Sequence, residues 1–427
     1  MKFSILSATC ALAAASGFLP AAAQTCTRDS EAAALYLPLD EAVRRALESD
    51  LRPAAARAAV ATARAERAIA ALRPADSLSL EFENFPGIGL GSEIENLEVT
   101  GTFNRVWERG GKREARTSLA ERSVDIAEAG VEISKAEIAY EIQSLYVDLA
   151  LTQERASLAA ERLDAARKAQ ALIEKRVEAA RDPLLAGSRA TADALVAEGE
   201  LERLTQEAER LRAALADFWA GSPDFGVDIC GLSRGNGHDE HPLDVTGSPE
   251  LLRLEAERRQ AQAAIRVAEA DRVPDVTWSA GVRKFGTDES LAVLGGVSVP
   301  LGSPKRAAPS EQKAASQSRQ IEAEADALRQ SLLRESARLE RTALNALDAI
   351  RLLETGPLPE AERAVSLAND GYARGAFSYL DVLDAQKLLF GLRDQRLELL
   401  RTYHLAEAAL ARIQARNLPP SLQETAQ

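Results

Sequence analysis

The sequence predicts a mainly α protein with a small β part, written twice over. Three observations carry that expectation: long proline-free stretches with heptad-spaced apolar residues, an internal repeat of about 190–200 residues, and four short runs of apolar–polar alternation. The 427 residues exceed what one ordinary core needs, and aromatics make up only 4% of them. Such a chain suits Ala-rich rods better than a thick globular core.

Each half runs helix, strand pair, long helix, second long helix. Pro74 closes a helix from Asp40 and precedes the strand Ser77 to Phe85; Pro274 closes a helix from Pro249 and precedes Asp275 to Phe285. Proline suits both boundaries because it cannot donate to a ladder and pushes the preceding residue towards extended geometry. Later in each half, Gly187 through Asp193 to Glu198 parallels Gly375 through Asp381 to Gln386. The glycines are expected to end a helix in a left-handed cap, and Ser378 with Asp381 three residues later forms a capping box.

The strands come in two pairs. Leu78, Leu80 and Phe82 alternate with Ser77, Ser79, Glu81 and Glu83; Leu97, Val99, Phe103 and Trp107 alternate with Glu98, Thr100, Thr102 and Asn104. Val276, Trp278, Ala280 and Val282 form the third run, and Leu291, Val293, Val297 and Val299 the fourth. Such runs have one apolar and one wet face, at about the 9–11 residues needed to cross a bilayer when tilted. Four strands cannot close, and open edges are not tolerated in lipid. Two chains would make a plugged eight-stranded barrel, whereas three make twelve strands and an open lumen, so a homotrimer in contact with membrane lipid is expected.

The helices form the wall. From Lys112 to Leu151 there is no proline, roughly 60 Å of rod. Val131, Ile138, Ile142, Leu145 and Leu149 make one seam, and Ile126, Ile133, Tyr140 and Val147 a second on nearly the opposite side. Two seams mean packed neighbours on both flanks. Hairpin tips are expected at Leu151 to Leu158 and at Thr355-Gly356-Pro357-Leu358-Pro359. Charges beside those tips, Glu154, Arg155, Glu354 and Glu360, become the gate candidates, since threefold symmetry would repeat each into a ring.

Chemistry is sparse. The formal charge of −13 and pI near 5.1 argue against a nucleic-acid binder. Three histidines, with no nucleophile–base pair or phosphate loop, predict no enzyme and no cofactor. His238-Asp239-Glu240-His241 has metal-ligand types, yet it follows Arg234-Gly235-Asn236-Gly237 and reads better as a solvated loop. Met1-Lys2, the apolar Ile5 to Leu19 and Ala21-Ala22-Ala23 read as a cleaved secretory leader. Cys10 leaves with it; Cys26 and Cys230 remain, either as one disulfide or as two separate thiols. No later stretch is apolar enough for a transmembrane helix.

Taken together, the arrangement resembles the TolC family of outer-membrane efflux factors over nearly the whole mature chain. Leu37-Pro38-Leu39-Asp40-Glu41-Ala42-Val43 is similar to its first equatorial helix, and Tyr372-Ala373-Arg374-Gly375 through Ala385-Gln386 to its second-repeat signature. A narrower likeness is to the heavy-metal (CzcC-like) branch. It rests on Glu83-Asn84-Phe85-Pro86-Gly87, on Gly110-Gly111-Lys112-Arg113 at a strand-to-helix turn, and on Gly296 to Leu301. Gly302-Ser303-Pro304-Lys305-Arg306 stands where that branch carries an aromatic-Asp-Arg-Asn stretch, so this turn is expected to differ.

The resemblance implies a trimeric duct with a 12-stranded outer-membrane barrel and a periplasmic helical tunnel. It would dock onto a periplasmic membrane-fusion adaptor and an inner-membrane resistance-nodulation-division transporter, and pass heavy-metal cations. A drug-efflux or type I secretion factor, or a periplasmic coiled-coil scaffold, are the rival readings. The expected divisions are a leader at 1–23, a first repeat at 24–232, a polar linker at 233–247, a second repeat at 248–413 and a tail at 414–427.

Overall fold

The computed structural model describes residues 36–84, 97–227, 232, 244–286 and 290–416. The leader, Cys26, Cys230 and His238 to His241 lie outside the described residues.

A two-residue strand β1 (Tyr36–Leu37) leads into α1 (Leu39–Ser49) and α2 (Leu51–Ala70). The single helix expected from Asp40 is therefore two. Asp50 turns extended, at φ −67° and ψ 137°, and its carboxylate accepts the Arg52 N–H at 2.7 Å, capping α2.

β2 (Ser77–Glu83) and β3 (Glu98–Trp107) form one hairpin, and then α3 (Lys112–Glu178) and α4 (Leu184–Asp217) follow. β4 (Gly226–Val227) pairs in parallel with β1. The second half repeats the order with α5 (Pro249–Ala270), β5 (Val276–Phe285), β6 (Leu291–Ser298), α6 (Ser303–Thr355), α7 (Pro357–Ala373) and α8 (Tyr379–Ile413).

α3 dominates the architecture. It holds 67 residues without a proline, roughly 100 Å of continuous rod. The turnaround expected at Leu151 to Leu158 does not occur. That stretch has no helix breaker, and Leu151, 2% exposed, is locked into a cluster with Val147, Ile350, Leu397 and Leu400 that joins the two repeats. The break at Gly356 is real but is no reversal. Glu354 pairs with Arg396, Glu362 with Arg393, and the Tyr372 ring lies 6.2 Å from that of Tyr379, one antiparallel register against α8 on both sides of the break. Pro357 and Pro359 lack the N–H groups that would continue the ladder, so α6 stops and α7 restarts in the same direction.

The actual turns lie further on, at residues 179–183 and 374–378. They are the same turn made twice. Arg181 N–H donates to Arg176 O and Ala376 N–H to Gly371 O, both at 2.8 Å, and the left-handed residues are Ala180 (φ 54°) and Gly375 (φ 78°). This is the Schellman closure of a helix. Gly187 and Asp193 consequently sit inside α4, not at its start. The sequence match had slipped by seven residues, one heptad, which in Ala-rich rods keeps the same face inward.

The apolar cores are duplicated too. Ile138, Ile142 and Leu149 of α3 pack with Ala42, Val43 and Ala46 of α1, with Leu211 and Leu215 of α4, and with Val227. Leu251, Leu339, Leu347, Tyr403, Leu410 and Ile413 form the counterpart in the second repeat. Each fully buried leucine or isoleucine contributes about 1.5–3 kcal/mol. Both cores sit midway along the rods, so they anchor the structure between the sheet and the turns.

Candidate functional site

Two places carry unusual chemistry, one at each end of α3. At the sheet end, the strand order is β2-β3-β5-β6 and every neighbour is antiparallel. β2 and β6 have no outer partner among the described residues. Register sorts the side chains into two faces. One carries Leu78, Phe103 and Ala280 in a row, then Leu80, Gly101, Val282 and Val293, then Phe82, Val99, Lys284 and Leu291. The other carries Ser77, Asn104, Ser279 and Gly296, then Ser79, Thr102 and Gly281, then Glu81, Thr100 and Arg283. Arg283 there reaches Glu83 at 2.8 Å and Glu98 at 2.9 Å.

The apolar face is not covered. Leu80 is 64% exposed and Val293 87%. A contiguous apolar face of this size, backed by a hydrated one, is the surface of a sheet that meets lipid or another apolar partner. A sheet packed on its own helices would show the reverse.

The strand-to-helix turn uses two glycines in left-handed geometry, Gly110 (φ 74°) and Gly111 (φ 73°). A Cβ on Gly110 would stand 2.7 Å from Val273 Cβ, so only glycine fits. Lys112 reaches Asp275 at 3.0 Å and Asp275 accepts the Arg109 N–H at 3.2 Å, tying the first turn to the start of β5. Arg113 points to the surface and makes no ion pair among the described residues. In the second copy Gly302 (φ 82°) caps α6, so the departing Gly302-Ser303-Pro304 sequence still makes a left-handed strand-to-helix turn.

At the far end the two turns meet. Ile173 and Ala190 of the first repeat pack with Ala368, Tyr372, Tyr379, Val382 and Leu383 of the second. Over this cluster lies a polar network. The Tyr372 hydroxyl donates to Asp182 Oδ2 at 2.7 Å, Arg176 bonds Asp182 at 2.9 Å, and the Arg176 guanidinium stacks 4.7 Å from the Tyr372 ring centre. The bonds from Arg176 and then Tyr372 hold the Asp182 carboxyl below its usual range. Burial first, and the bond to Asp182 second, push the Tyr372 phenol up to about 12. The neighbouring Tyr379 hydroxyl is buried and finds no partner among the described residues. Ser378 and Asp381 form a reciprocal capping box at the start of α8, with Ser378 N–H donating to Asp381 Oδ2 at 2.8 Å.

Three of the four sequence-selected gate charges work elsewhere. Arg155 bridges α3 to Asp394 (2.9 Å) and Glu398 (2.7 Å) of α8, and Glu354 pairs with Arg396 at 2.7 Å. Glu360 pairs with Arg363 one turn along α7 at 2.6 Å. Glu154 lies beside Arg155 inside α3, far from the turn at 179–183. The Arg155 pairs, with Arg401 to Asp148 at 2.7 Å and Arg393 to Glu161 at 2.9 Å, stitch α3 to α8 along their length. The network residues Arg176, Asp182 and Tyr372 were not singled out as a site. Asp182-Pro183 was the available signal, because Asp-Pro starts turns. Among the described residues no cluster of His, Cys, Asp and Glu could hold a metal ion.

Residues 246–416 match the family model described as outer membrane efflux protein. The cobalt-zinc-cadmium resistance protein CzcC of Cupriavidus metallidurans is 29% identical over 322 residues, 74% of this chain and 77% of that one. The likeness to outer membrane efflux proteins thus reaches from the second repeat into most of the chain. The nickel and cobalt resistance protein CnrC of the same organism is 29% identical over 292 residues, covering 66% of this chain and 69% of CnrC. Among solved structures, the outer membrane protein VceC from Vibrio cholerae superposes with a TM-score of 0.73 at 21% identity, covering 88% of this chain and 96% of that one. The family match falls on the second repeat of this chain, and the first repeat presents the same order of elements around α3.

Proposed function

We propose that the chain is an outer membrane efflux protein, three copies of which close their sheets into one 12-stranded barrel in the outer membrane and continue as a helical tunnel through the periplasm. The tunnel is the passive exit duct of a tripartite pump for divalent heavy-metal cations. The observation that carries the reading is the four-stranded sheet with an exposed apolar face, a hydrated opposite face and two edges that no strand covers among the described residues. Open edges in hydrocarbon leave backbone groups unsatisfied, and closing a ring of sheets removes them. Twelve strands leave an open lumen, and the hydrated faces would line it.

The far end is the closure. Tyr372 belongs to one repeat and Asp182 to the other, so their bond ties the second helical pair to the first at the constriction. Opening the duct means breaking that bond and the Arg176 pair beside it. A periplasmic adaptor touching the turns would supply the free energy, and an inner-membrane transporter would supply the substrate. The duct itself needs no cofactor. Resistance to cobalt, zinc and cadmium in the CzcC relative supports a metal cargo.

The test combines assembly and transport. In mild detergent the protein is expected as a particle of three chains with a central pore by electron microscopy. Deletion of its gene is expected to raise sensitivity to zinc, cadmium or cobalt salts without altering sensitivity to detergents and dyes. A single-chain particle sinks the shared barrel; dye sensitivity with unchanged metal resistance sinks the cargo.

A further inference from the structure

A cavity of about 610 Å³ opens where the sheet gives way to the helices. Arg73, Arg105 and Arg113 surround it together with Trp107 and Trp278. By register, Arg105, Trp278 and Val297 form one row of the exposed apolar face, so the cavity opens on the lipid side. Trp278 lies near the helix-proximal end of β5 and Trp107 at that end of β3, the level at which an outer-membrane barrel carries an aromatic girdle.

The charges there are only partly spent. Asp76 is shared by Arg105 at 2.7 Å and Arg73 at 3.5 Å, two cations on one carboxylate. Lys112 is committed to Asp275 and Glu108 to Arg116. Arg113 is exposed and makes no ion pair among the described residues, with Glu114 as the acidic neighbour on the rim. Trp107 and Trp278 are 59% and 50% exposed. Tryptophan at such a level sits between headgroups and acyl chains, and planar guanidinium groups match phosphate oxygens two at a time.

From this we infer that the cavity is a binding site for the phosphate of an anionic glycerophospholipid of the inner leaflet, with the acyl chains lying along Trp107, Trp278 and the apolar face. The inference rests on the membrane reading given under the proposed function. It adds a lipid-selective contact at the joint where the barrel meets α3, so the lipid acts as a wedge that sets the barrel's depth.

The test uses the full chain carrying Trp219→Phe, which leaves Trp107 and Trp278 of the 3 tryptophans as reporters. The protein is reconstituted in phosphatidylcholine vesicles, and bromine-tailed phosphatidylglycerol or bromine-tailed phosphatidylcholine is titrated in as quencher. The anionic lipid is expected to win access by about fivefold for each arginine it engages. Arg113→Gln, which breaks no ion pair among the described residues, is expected to lower that preference about fivefold. Adding Arg73→Gln and Arg105→Gln is expected to abolish it, and lysine at all three positions to restore most of it.

Equal quenching by both lipids overturns the inference while leaving the membrane reading intact. No quenching by either lipid sinks the membrane reading instead. Loss of the preference on adding inorganic phosphate, at matched ionic strength and with phosphatidylcholine quenching unchanged, would reassign the site to free phosphate and overturn the lipid.

Discussion

Tyr372→Phe isolates the bond that joins the two repeats at their far end. Phenylalanine keeps the ring in the cluster with Tyr379 and Leu383 and under the Arg176 guanidinium, and removes only the hydroxyl that donates to Asp182 at 2.7 Å. A hydrogen bond to a charged acceptor is worth about 1.5–3 kcal/mol. Tyr372 is 5% exposed and the Asp182 side chain 14%, so little solvent screening discounts the figure. In each chain the closed-to-open ratio is therefore expected to fall by roughly 10- to 100-fold. The assay is single-channel recording in planar bilayers. Closed dwell times should shorten and the mean conductance rise, while melting, which depends on the cores midway along the rods, moves by only a few degrees. Asp182→Asn, which weakens the Arg176 pair as well, should open the channel further. The double variant should show coupling of at least about 0.5 kcal/mol. Unchanged dwell times in Tyr372→Phe, alongside a clear effect of Asp182→Asn, would refute the role given to the tyrosine.

Three further outcomes can be measured. The Asp182 carboxyl is held below its usual range and the Tyr372 phenol is raised to about 12. A depressed carboxyl contributes stability above its unfolded pKa and loses it as pH falls through the folded one, so conductance should stay flat between about pH 5 and pH 9 and rise only in stronger acid. Ala180 holds φ 54° where its counterpart Gly375 holds 78°. Ala180→Gly should stabilise the tip and Gly375→Ala destabilise it, each by about 1 kcal/mol, read as proteolytic nicking at the turns and as a shift in melting. Leu80 and Ser79 are adjacent on β2 but face opposite ways. Leu80→Arg should cost about 2–4 kcal/mol and reduce heat-modifiable outer-membrane material, whereas Ser79→Arg should assemble normally.

The sheet and the duplicated order of elements were legible because their signals are local. Alternation at Leu78, Leu80 and Phe82, and prolines at Pro74 and Pro274, depend on nothing far away. The length of α3 was not legible in the same way. Nothing between Leu151 and Leu158 breaks a helix, so the expectation of a turn there rested on symmetry with Gly356, and that break is a restart. Heptad periodicity is also blind to a shift of seven residues, which is why Gly187 was matched to Gly375 when Ala180 is its true counterpart. Once the turns were misplaced, the gate charges were sought too early on each rod. The Asp182–Tyr372 pair is separated by 190 positions. No local pattern could join them; only the fold brings the second turn against the first.

The interruption at Gly356 makes the two halves of the wall mechanically unequal. The first half is a single unjointed post from Lys112 to Glu178, fixed at its upper end by the glycine turn against Val273. The second carries an elbow 16 residues above Tyr372, a lever of roughly 24 Å. A swing of only about 10° at that elbow displaces the phenol by about 4 Å, more than enough to part it from Asp182. On the proposed duct reading, a modest push near the elbow would thus part the two turns without straining the sheet, with one side as the doorpost and the other as the door.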